Sequence, residues 1–120
     1  MPPAWTHDEK ALALYYRCRG ISIQACKEIL DVKKRKQEVD ELEVRSTYSV
    51  AYALAQLRRK IPGIYNRTSR LWNIERCDTE IETWPTNDLE DLLQLNETHL
   101  SDMAADERLE VVALLDNIKE

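Results

Sequence analysis

An all-α fold is what this sequence predicts, and three observations predict it. Only two Gly and four Pro interrupt its 120 residues, which leaves few positions for β-turns. Leu, Ala, Glu, Lys and Arg, all good helix formers, are abundant. Apolar residues recur at three- and four-residue spacing behind Ser, Thr and Asp side chains suited to capping helices. The predicted architecture is a three-helix bundle over residues 1–63, followed by an acidic helical extension over residues 64–120 with two further helices.

The first helix begins at Thr6, which can cap the backbone amides, and Glu9 completes a Thr-x-x-Glu capping box. Leu12, Tyr15, Tyr16 and Cys18 carry it to Gly20, a natural left-handed terminator. Ser22 caps a second helix whose Ile23, Cys26, Ile29 and Leu30 share one face. Residues 31–43 (DVKKRKQEVDELE) are dominated by charge, with isolated Val39 and Leu42. They either extend the second helix or form a connection with one amphipathic turn, and periodicity does not separate these. Ser46 or Thr47 caps the third helix, which Pro62 and Gly63 end; Val50, Leu54, Leu57 and Ile61 form its inward stripe. Residues 64–85 read as an irregular stretch anchored by Trp72 and Trp84. A short helix over residues 87–95 and a final helix beginning at Ser101 or Asp102 complete the chain.

Composition excludes several classes. At 43% hydrophobic and 32% charged residues, the chain is too apolar for wholesale disorder. No apolar run is long enough to cross a bilayer and MPPAWTHDEK lacks the apolar core of a signal peptide, so a soluble intracellular protein is expected. Cys18, Cys26 and Cys77 are an odd count without CxxC spacing, which argues against a disulfide framework and against zinc. Cys18 and Cys26 lie on apolar faces and are expected to be inert core residues. No Gly-rich phosphate loop, nucleophile elbow or catalytic carboxylate pair is present; neither an enzyme nor a cofactor is expected.

The net charge of −5 hides a strong asymmetry. Up to Arg76 there are 15 Lys and Arg against 9 Asp and Glu, a balance of +6. From Cys77 onward there are 2 against 13, a balance of −11. A basic half of this kind suits a polyanion, and an acidic half suits a basic partner or the chain's own basic half.

Helix, Gly turn, short helix, connection and basic helix is a helix-turn-helix layout. The segment WTHDEKALALYYRCRGISIQACKEIL places Trp5-Thr6, Asp8-Glu9, Leu12, Gly20, Ser22-Ile23, Cys26 and Leu30 in a pattern that resembles the opening of a Myb/SANT-like, homeodomain-like domain. RSTYSVAYALAQLRRK resembles that family's third helix, and the resemblance covers residues 3–61. The acidic half has no counterpart in it, and the connection after Asp31 is longer than the family pattern needs.

The resemblance implies a nuclear module associated with DNA or chromatin, whose third helix contacts DNA. With the apolar stripe inward, Tyr48, Ser49, Tyr52, Gln56 and Arg59 lie opposite. Gln can pair with adenine and Arg with guanine, while Arg45, Arg58 and Lys60 at the flanks suit phosphates. Lys33, Lys34, Arg35 and Lys36 are candidates for phosphate contact, a short nuclear-import signal or a solvated charge run; Arg58-Arg59-Lys60 equally fits a solvated helix end favoured by the dipole. The alternative is a protein-interaction module of a chromatin complex that binds histone tails or a partner subunit. Such a module could dimerise through Met103, Leu109, Val112 and Leu115. A third expectation has the acidic half docked on the basic helix and masking it.

Overall fold

The computed structural model describes residues 4–35 and 45–118. Lys36, Val39 and Leu42 lie outside the described residues. The described residues are mostly helical, and among them there is one minor two-stranded sheet.

Helix α1 (His7–Cys18) starts on the anticipated capping box: the Glu9 amide donates to Thr6 Oγ1 at 3.1 Å, and the Thr6 amide donates to Glu9 Oε1 at 3.0 Å. Gly20 follows at φ +98°, where a Cβ would be strained. Helix α2 (Ile23–Arg35) is capped by Ser22, whose Oγ accepts from the Ala25 amide. Helix α3 (Thr47–Lys60) is capped by Ser46 and buries Val50, Leu54 and Leu57, with Ile61 half-buried beyond its end. These three helices pack on one another.

Residues 64–85 are not irregular. They hold a β-hairpin, β1 (Tyr65–Asn66) against β2 (Leu71–Trp72), with Tyr65 opposite Trp72. Helix α4 (Ile74–Thr83) follows, capped by Asn73. Its apolar stripe is narrow, with only Cys77 and Ile81 buried; that thin signal explains why composition alone reads as loop. Helix α5 (Leu89–Leu93) is shorter than the expected span of 87–95. Helix α6 (Glu97–Ser101) fills the gap left between the two expected helices, and α7 (Ala105–Ile118) starts later than Ser101 or Asp102. His99 builds a reciprocal cap there: its Nδ1 accepts from the Asn96 amide while its own amide donates to Asn96 Oδ1.

The acidic segment packs on α1 and α2. Helices α4 and α5 lie against α1, and α6 and α7 against α2. One buried apolar cluster runs from Ala11 through Ile29, Val50 and Cys77 to Val111. The core therefore continues across residues 63–64, and the change of charge falls later, between Arg76 and Cys77. Helices α2 and α7 also cap each other: the Glu110 carboxylate accepts from the Ser22 amide and from its hydroxyl, and Glu28 Oε1 accepts from the Ala104 amide at 2.9 Å. Tyr16 ties α1 to the end of α5, its buried hydroxyl donating to the Leu93 carbonyl at 2.6 Å.

Candidate nucleic-acid interface

The cations of the basic half divide into two groups. Those near the N-terminal side turn inward. Glu9 is fully buried, and Arg45 donates Nε to Glu9 Oε2 at 2.9 Å and Nη2 to Glu9 Oε1 at 3.0 Å. Lys34 Nζ reaches the same carboxylate at 2.9 Å. Arg45 also donates to the Ala4 carbonyl and lies over the Trp5 ring. Burial pushes the Glu9 carboxyl up, but hydrogen bonds from Arg45, the Thr6 amide and Lys34 outweigh it and hold it at about 2. Lys33, fully buried, donates to the Asp91 carbonyl of α5 at 3.0 Å.

This arrangement corrects three expected phosphate contacts. Lys33, Lys34 and Arg45 are interior residues that serve the fold, because stripping such a buried partner leaves an uncompensated charge. Nor do the two lysines belong to a solvated run. Arg35 remains exposed, donating to the Asp102 carbonyl at 3.3 Å. A positional signal was present in the sequence: Cys26, Ile29, Leu30, Lys33 and Lys34 follow i, i+3, i+4, i+7, i+8 and continue one inward stripe. Residue type concealed it.

The second group faces outward. Tyr48 is 80% exposed and Tyr52 57% exposed, so the acidic half does not cover this face of α3. Gln56 Nε2 donates to the Tyr52 hydroxyl at 2.7 Å, joining the middle of the stripe. Ser49 is half-buried and accepts from Trp5 Nε1 at 3.3 Å, so its hydroxyl helps to hold the N-terminal segment on α3. Arg58, Arg59 and Lys60 are exposed. Tyr48, Tyr52, Gln56 and Arg59 follow i, i+4, i+8, i+11 and line a single face.

At the end of that face lies a cleft of about 280 Å³ lined by Ala55, Arg58, Arg59, Tyr65, Arg67 and Arg70. Arg58 lies over the rings of Tyr65 (4.7 Å) and Trp72 (5.9 Å), which fixes the hairpin against the helix. Asn66 Oδ1 accepts from the Thr68 and Ser69 amides, and Arg70 takes φ +60° while donating its amide to the Asn66 carbonyl. That tight turn delivers Arg67 and Arg70 beside Arg58 and Arg59. In the sequence both residues fall in the stretch that reads as irregular, and only an anticipated hairpin pairs them with α3.

The expected partner surface on the last helix is only partly a surface. Met103 is buried, Val112 and Leu115 are half-buried, and Leu109 alone of the four is exposed, at 67%. Among the described residues of α7, Val111 is fully buried, and Leu114 and Leu115 pack against the core. All three cysteines are buried and free, and burial pushes the Cys26 thiol up to about 12. Among the described residues no group of His, Cys, Asp or Glu could hold a metal ion, and no helix is long and apolar enough to cross a membrane. No family model matches the chain, no curated protein matches it, and no solved structure matches it.

Proposed function

We propose that this chain is a DNA-binding module of Myb/SANT-like helix-turn-helix type, working in the nucleus, with α3 as its contact helix. One observation carries the proposal: the outward stripe of α3 is open and runs towards exposed cations, although the chain as a whole is acidic. Packing of α4 to α7 on α1 and α2 keeps the excess carboxylates of the second half on other helices. Tyr48, Tyr52 and Gln56 then offer hydroxyl and amide groups to base edges, and Arg59 a guanidinium fork. A labelled duplex titrated with the full chain at increasing salt is expected to show affinity falling steeply, from counterion release. Absence of salt-sensitive binding at low ionic strength sinks the proposal. Gln56→Ala is expected to change sequence preference more than overall affinity.

The same exposed tyrosines favour a second reading, a protein-interaction module of a chromatin complex. Paired aromatic side chains with polar tips suit a protein interface as well as a groove. Retention of histone-tail peptides by the full chain, without retention of duplex, would select it.

A further inference from the structure

The four arginines of the cleft, Arg58 and Arg59 from α3 and Arg67 and Arg70 from the hairpin turn, come from two elements and meet at one place. Among the described residues none of them has an ion-pair partner, and no carboxylate lines the cleft. Elsewhere the chain pairs its arginines readily: Arg19 grips Asp78 with two bonds, Arg45 grips Glu9, and Arg76 meets Glu80. Gathering four like charges without a counterion is unfavourable. The dipole at the end of α3 favours the helix's own cations, but does not account for a hairpin turn carrying two more to the same spot.

Guanidinium forks match phosphate oxygens in shape as well as charge. Arg58 is held in place by ring faces, an attraction that does not consume its N–H donors. Position selects the anion. The stripe Tyr48, Tyr52, Gln56 leads along α3 into Arg59, and from Tyr48 to Arg59 the helix rises roughly 16 Å. A major groove is about 12 Å wide. A helix whose leading turns lie in the groove therefore brings its last turn to the phosphate strand at the rim.

We infer that the β1–β2 hairpin is a phosphate clamp, with Arg67 and Arg70 joining Arg58 and Arg59 on neighbouring phosphates of the strand flanking the groove that α3 occupies. The inference rests on the proposed DNA-binding role and adds a second contacting element to it. The test uses the full chain carrying Arg67→Gln and Arg70→Asn together, since Asn tolerates the left-handed backbone at position 70. Both side chains are exposed, so an unchanged thermal melt is expected to report an intact fold. Duplex affinity is then measured over a range of salt concentrations. The expected result is a salt slope shallower by about 2, roughly one unit for each lost phosphate contact, and affinity reduced alike for unrelated sequences. A double variant with the slope and affinity of the wild type overturns the clamp and leaves the α3 proposal standing. A wild-type chain without salt-sensitive duplex binding overturns both. Loss of binding to a poly-glutamate peptide, with duplex binding unchanged, would assign the cleft to an acidic protein segment and overturn the clamp as well.

Discussion

Two basic runs of similar composition, Lys33-Lys34-Arg35 ending α2 and Arg58-Arg59-Lys60 ending α3, meet opposite fates in this molecule. Two members of the first are in the interior; all three of the second are exposed. Helix dipole and local sequence treat the runs alike, since each closes a helix with cations. What differs is what packs there. Helix α1 brings Glu9 to Lys34, and α5 brings a backbone carbonyl to Lys33. The second run meets a hairpin whose turn brings more arginine. A cation run is thus structural or available according to the element that docks on it, often one far away in sequence.

The contrast can be broken at its strongest point first. Glu9→Ala leaves Lys34 and Arg45 buried around an absent carboxylate and is expected to cost about 3–5 kcal/mol, read from a urea unfolding curve. A loss below about 1 kcal/mol would mean that the node is solvated and that the two runs do not differ in kind. Next is the pH dependence. A carboxyl held at about 2 rather than its ordinary 4.5 contributes stability that is fully present above pH 4.5 and disappears as pH falls towards 2. The wild-type urea midpoint should therefore drop across that window, by the equivalent of about 3 kcal/mol. Glu9→Gln should start lower and show a flatter profile; equal slopes would place the acid sensitivity in other carboxylates. The smallest effect belongs to the exposed run. Arg59→Gln is expected to leave stability within about 0.5 kcal/mol of wild type, while weakening duplex binding. Substantial destabilisation would make Arg59 a structural residue like Lys34.

Local signals carried much of the fold. The Thr6–Glu9 capping box, the Gly20 turn, a cap at Ser46 (one of the two candidates, with Thr47) and three of the four stripe residues, Val50, Leu54 and Leu57, are short-range features realised where the sequence placed them. The fourth, Ile61, is half-buried. Long-range features were hidden. Glu9 was legible as a cap but not as the centre of an ion network, because Arg45 lies 36 residues away and nothing local points to it. The hairpin was missed because each of its strands has two residues, too few for alternation to register. Helices α4 and α6 were missed because one buries only Cys77 and Ile81 and the other is five residues held by an Asn96–His99 cap. At the candidate interface, the α3 stripe was visible by periodicity. The contribution of Arg67 and Arg70 depended on a turn whose geometry rests on the Asn66 side chain.

The mutual capping of α2 and α7 has a consequence for how the chain acquires its shape. Ser22 and Glu110 are 88 residues apart, and Glu28 and Ala104 are 76 apart. On a ribosome, the second helix emerges long before the carboxylate that completes its amino end has been synthesised. Closing so long a loop is an entropic toll met before its contacts give any return, which slows folding and couples early segments to late ones. The nascent basic half would wait, its helix start incomplete, for the last helix to arrive and close the ring.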